Sequence, residues 1–204
     1  MFPVAAAAAL DLLQYGEVGD RWLLPSVLPK MSVGALACHL GLQVVRSAEV
    51  LPMATDLLPL ESVDAHYGQA AWVTSTSPDD PANDRSGADA EAALGPAVLA
   101  DRSSGALEIV RRLLADGAAA DVVPIPWQGW SLRRDDFLLT RMLEIVVHSN
   151  DLALSVGVPA PEFPGEVFAP VRDLLLRLAV RRHGQSAVIS TLTRRERTEV
   201  ISAF

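Results

Sequence analysis

The stretch between Ser131 and Gly157 constrains this chain more than any other. Ser131 is a good helix N-cap, Gly157 and Pro159 are helix stops, and the run 132–156 between them is strongly apolar. On a helix, Arg141, Glu144, His148 and Asp151 follow one another a turn apart along a single face. A carboxylate and an imidazole at i and i+4 can grip one divalent ion through oxygen and nitrogen donors. The same pair also suits an amphipathic helix whose Glu and His face solvent or each other, and such pairs are common. A third ligand from elsewhere in the chain has to decide between the two.

Most of the remaining sequence also has helical character. Residues 4–15 predict a helix, because alanine is the best helix former and Leu10, Leu12 and Leu13 supply an apolar face. Gly16 and Gly19 end it, and the proline-punctuated segment 22–29 is extended. Ser32 caps a long apolar helix from Val33 to Val50, stopped by Pro52. A short helix is expected over 61–72, a polar mobile loop over 75–87, and a helix over 88–115 kinked near Gly95 and Pro96. Segment 122–130 holds too much proline and glycine for a helix and reads as an extended, partly buried loop. Its two tryptophans, Trp127 and Trp130, either line a pocket or cap the helices. A linker at 161–165 leads to a helix over 166–182, a break at 183–186 and a charged, amphipathic end over 191–204. There is no internal repeat and no alternating strand pattern. The expectation is an all-α fold: a four-helix bundle over residues 1–160, with a C-terminal helical extension over 161–204 packed on it.

Composition narrows the class of partner. Half the residues are apolar and only 5% aromatic, which suits a core of aliphatic helices. A net charge of −8 argues against nucleic acid. Cys38 is the only cysteine, so no intrachain disulfide forms and a cytoplasmic location is expected. The alanine-rich start lacks a basic leader region and meets Asp11 early, and no apolar run is long enough to cross a bilayer. A soluble monomer or homodimer is therefore expected, with no nucleic-acid and no membrane partner.

The chemistry-bearing residues reduce to few candidates. Of the four histidines, His183 sits at a helix end, where it compensates the dipole, and His66 has no evident partner in sequence. His39 and His148 both lie mid-helix in apolar surroundings. A histidine such as His39, with Leu36, Leu42, Gln43 and Arg46 on its face, is more often a core residue than a ligand. Together with Glu144 and His148, however, it supplies the three protein ligands of an open, catalytic-type divalent site. Cys38 points about 100° away from His39 on the same helix and is left out of that site. No G-x-S-x-G, G-x-G-x-x-G or G-K-[ST] motif is present. Asp79 and Asp80 fit a solvated loop, and Arg194 to Arg197 fit a solvated helix face better than an anion clamp.

Two segments carry a resemblance to a known family. Trp22-Leu-Leu-Pro-Ser-Val-Leu-Pro-Lys-Met-Ser-Val-Gly-Ala-Leu-Ala-Cys-His39-Leu40 resembles the first signature of the mycothiol-dependent maleylpyruvate isomerase family, within the DinB/YfiT-like metal-dependent helical bundles. Thr140, Arg141, Glu144, Val147, His148, Asp151 and Leu152 match its second signature, and the ending from Leu192 to Phe204 is similar to that of many relatives. The resemblance implies a four-helix bundle holding a divalent metal, usually zinc, on His39, Glu144 and His148, with water in the open positions. It further implies that a low-molecular-weight thiol, mycothiol, serves as cosubstrate and that the substrate is a small electrophile. Asp151 would then orient a ligand from behind, and Arg141 would pair with Glu144 or with an acidic substrate. The expected function is a thiol-dependent transferase or isomerase; the alternative is a non-catalytic binding or interaction bundle with a structural or vestigial metal.

Overall fold

The computed structural model describes residues 1–74 and 86–204; the expected loop over 75–87 falls largely outside them. Helix α1, Phe2–Leu13, starts with a proline in its first turn, where the missing N–H costs nothing, and buries Ala5, Ala6 and Ala9 completely. These small side chains let neighbouring helices approach closely. A short helix α2, Gly16–Asp20, leads through the proline-rich link to α3, Val33–Val50. Ser32 caps α3 as expected, its Oγ accepting the Ala35 N–H at 3.0 Å. The expected helix over 61–72 is two pieces, α4 (Val63–Gln69) and α5 (Ala71–Thr74), because Ala70 adopts an extended ψ of 116°. The one over 88–115 is also two: α6 (Ser86–Ala92) and α7 (Pro96–Ala115), separated at Gly95.

Segment 122–130 departs from the sequence reading. Val122–Ile125 (β1) and Trp130–Arg133 (β2) form an antiparallel hairpin, with Val123 opposite Leu132 and Pro124 opposite Ser131. Four-residue strands give too short an alternation to recognise, and the prolines hide the first of them. The hairpin gains a neighbour from Leu60, whose N–H bonds to the Ser131 carbonyl at 2.9 Å. Ser131 is therefore a buried strand residue whose Oγ donates to the Leu57 carbonyl, not a helix cap. The long helix α8 starts two residues later than expected and spans Arg134–Val156, with Asp135 and Asp136 meeting the positive end of its dipole. It ends at Gly157, whose φ of 72° is left-handed backbone that glycine adopts without a Cβ penalty.

Helix α9, Gly165–Thr193, contains the expected break at Gly184, where φ is 82° and ψ 161°. Beyond it the chain makes one 3-10 turn over Arg195–Arg197, fully solvated, and then runs without regular structure to Phe204. The final phenylalanine returns to the body of the molecule, its ring centroid 5.0 Å from that of Trp72 and 5.5 Å from that of Tyr67.

The molecule is predominantly helical. Helix α3 packs on both α7 and α8, and α1 packs on those same two helices, so the four close a ring around one aliphatic core. Leu36, Leu40, Val44, Ile145 and Leu152 are wholly buried within it. Helix α9 lies against α8, α1 and α4. No helix of the described residues is long and apolar enough to cross a membrane. The ring brings one face of α3 against one face of α8, and these faces carry the polar residues of the interior.

Candidate metal centre

Two helices supply the site. His39 projects from α3, and Glu144 and His148 from successive turns of α8. The His39 Nε2 lies 3.2 Å from Glu144 Oε2, and the His148 Nε2 lies 3.3 Å from the same oxygen. The two imidazoles meet edge to face, with centroids 4.7 Å apart and planes at 89°. One donor atom from each of the three residues lies within 4.8 Å of the other two. Nitrogen and oxygen ligands bound to a tetrahedral ion at ~2.0–2.1 Å are about 3.3–3.4 Å apart. The two histidine–carboxylate separations match that spacing, so the donor set fits a divalent ion in both chemistry and size.

The surrounding groups hold these side chains in place. Asp151 Oδ2 lies 3.0 Å from His148 Nδ1, which fixes the proton on that nitrogen and leaves Nε2 as the donor facing the site. On α3, Gln43 donates to the His39 carbonyl at 2.8 Å and accepts from Arg141 Nη1 at 2.7 Å. Arg141 also donates through Nε to Thr140 Oγ1. The sequence reading set Arg141 against Glu144 or an acidic substrate; the structure shows its Nη1 and Nε engaged by Gln43 and Thr140, and among the described residues it forms no ion pair with Glu144, on which its charge acts only through space. Arg141 instead braces the amide that braces His39.

Burial and neighbouring charge set the protonation of the metal-free centre. Burial works against an ionised Glu144, yet hydrogen bonds from His148 and His39 hold its carboxyl well below the usual range. Burial likewise disfavours a charged His148, but Asp151 and Glu144 outweigh it and raise the pKa to about 9. His39 has no second carboxylate, so burial lowers its pKa despite Glu144. Cys38 is buried away from this face, and burial followed by the charge of Glu91 raises its thiol to about 12, which leaves it inert.

The centre opens into a cavity of about 940 Å³. Aliphatic side chains of Leu28, Leu42, Leu143 and Val147 form part of its wall, and Arg46, His66, Trp72, Trp127, Gln128 and Phe204 add polar and aromatic surface. His66 is buried and accepts the Trp130 indole N–H at Nδ1, 3.1 Å away. Burial, then the charge of Arg141, lowers its pKa to about 4, so it presents a neutral ring to the cavity. Sequence reading set His66 aside because its partner lies 64 residues away in the hairpin. It left the tryptophans open between lining and capping: Trp127 lines the cavity and Trp130 orients His66. Gln43 and Arg46 were visible in sequence only as neighbours of His39 on one helical face. His183 is remote from the centre and accepts the Ser202 N–H at 3.1 Å.

Comparison with family models matches none of them, and comparisons with curated proteins and with solved structures give no match either.

Proposed function

We propose that this chain is a divalent-metal protein of the DinB/YfiT-like kind, related to the mycothiol-dependent maleylpyruvate isomerases. On this reading the ring of α1, α3, α7 and α8 is the family's four-helix bundle. His39, Glu144 and His148 hold zinc, and the reaction is transfer to, or isomerisation of, a small electrophile with a low-molecular-weight thiol such as mycothiol. The observation that carries it is the meeting of three donor atoms, from helices about a hundred residues apart, in the wall of one cavity, with both histidine nitrogens at tetrahedral spacing from the Glu144 oxygen. Zinc held by His39, Glu144 and His148 would supply Lewis acidity, which favours the thiolate form of a thiol. The chain's own part is positional. Asp151 faces His148 Nδ1 and so turns Nε2 to the site, Gln43 and Arg141 anchor the segment bearing His39, and Leu28, Leu42, Leu143 and Val147 give a small molecule an apolar seat beside the three donors.

The test begins with metal content. Protein purified without chelator is expected to carry a stoichiometric divalent ion, and His148→Ala to lose it. Wild-type protein free of any divalent metal would sink the reading. Turnover of a chlorodinitrobenzene-type electrophile is then measured with mycothiol, bacillithiol, glutathione and coenzyme A. Metal without turnover by any of these would leave a binding bundle in place of an enzyme.

A further inference from the structure

The charges lining the cavity are unequally satisfied. It holds three carboxylates, and each has a cationic or imidazole partner: Glu144 with His39 and His148, Asp151 with His148, and Glu91 with Arg102. It holds two guanidinium groups. Arg141 is engaged by Gln43 and Thr140. Arg46 differs: no carboxylate or carbonyl of the described residues takes its N–H donors, and its one specific contact is the face of Trp127, with the guanidinium carbon 4.8 Å from the ring centroid. Burial, then the like charge of Arg141, pulls its pKa below the ordinary arginine value. Glu49 and Glu144 favour its charge through space, yet among the described residues no carboxylate closes an ion pair with this partly desolvated guanidinium. Stacking on an indole occupies the face of a guanidinium and leaves its edge, with the N–H donors, directed outward.

Position gives this group a meaning. Arg46 follows His39 by seven residues on α3, so their backbones are about 10 Å apart along the helix. The fork of donors and the metal centre therefore face the same cavity at a separation that a small organic molecule spans. We propose that Arg46, held by Trp127, is an oxyanion-binding subsite, and that the molecule occupying the cavity carries a carboxylate or phosphate group there while its other end reaches His39, Glu144 and His148. The two-ended placement rests on the metal-site reading above; the oxyanion subsite itself does not.

Binding of benzoate and phenyl phosphate, each compared with benzamide, tests it by calorimetry on the full chain, zinc-loaded and after chelation. The oxyanions are expected to bind about 10- to 100-fold tighter than benzamide, as charge-assisted pairing gives. Arg46→Gln should remove that preference with metal content and helical circular dichroism unchanged, and R46K should keep only part of it. Which of the two oxyanions gains more identifies the group the subsite takes. Equal binding of acid and amide by the wild type would overturn the proposal, as would a preference that persists in Arg46→Gln. A preference lost on chelation but not in Arg46→Gln would also overturn it, by putting the oxyanion on the metal. Should Arg46→Gln fail to fold, Trp127→Leu decides: a several-fold weaker preference supports the subsite, and an unchanged one refutes it. Protein that holds no metal defeats the zinc reading alone, since the chelated arm still reads Arg46.

Discussion

Asp151 does its work without touching the centre itself. Its carboxylate faces the far nitrogen of His148, so Asp151→Asn keeps the shape while weakening the hold on the tautomer. Zinc affinity, measured by competition with a chromophoric chelator, is expected to fall about 10- to 100-fold with the fold intact. The same contact gives the metal-free protein a pH signature. His148 ionises at about 9 when folded against an ordinary 6.5. Because the native state holds that proton more tightly, its stabilisation is complete below pH 6.5 and is lost as pH rises through 9. The unfolding free energy of the chelated protein, from urea titration, should decline across that window by on the order of 3 kcal/mol in total, and Asp151→Asn should flatten the decline. A decline unchanged by that substitution would show that His148 is not its source. The residue scale is also where sequence was most and least informative. Glu144, His148 and Asp151 share a helix face and could be read from spacing. The tie of His39 to them could not, because it joins positions 105 apart. The partners of His66 and Arg141 escaped notice for the same reason.

Among the elements, the approach to α3 is built around Trp22. Its indole donates to the Ala92 carbonyl at 2.8 Å, joining the link before α3 to the end of α6. A Cβ added at Gly34 would lie 2.6 Å from the Trp22 ring. Gly34→Ala must therefore displace the indole, and is expected to cost about 1–3 kcal/mol in urea denaturation. An unchanged midpoint would mean that the link is looser than this packing implies. Helices with caps and long apolar faces were legible because each turn repeats the same information: Ser32 opens α3 and Gly157 closes α8 as read. The hairpin was not. Its identity depends on pairing across a turn and on Leu60 from a distant segment, and neither leaves a periodic trace in four-residue strands.

For the molecule as a whole, the metal would fasten two walls of the helical ring. His39 comes from α3 and the other two ligands from α8, so an ion bound only by the native state adds stability by mass action. Free zinc at a thousandfold excess over its dissociation constant is worth about 4 kcal/mol. Chelation should accordingly lower the melting temperature by several degrees, reversibly, and His39→Ala should abolish the difference between loaded and chelated samples. Melting that ignores chelator in the wild type would exclude a native-state ion bridging α3 and α8.

The turn between β1 and β2 carries none of the candidate ligands, yet it places Trp127 and Gln128 in the cavity wall. Part of the cavity wall and the candidate ligands thus come from separate segments of the chain. Replacing residues 126–129 leaves every candidate ligand on its own helix, so this four-residue turn is the place to change what the cavity admits.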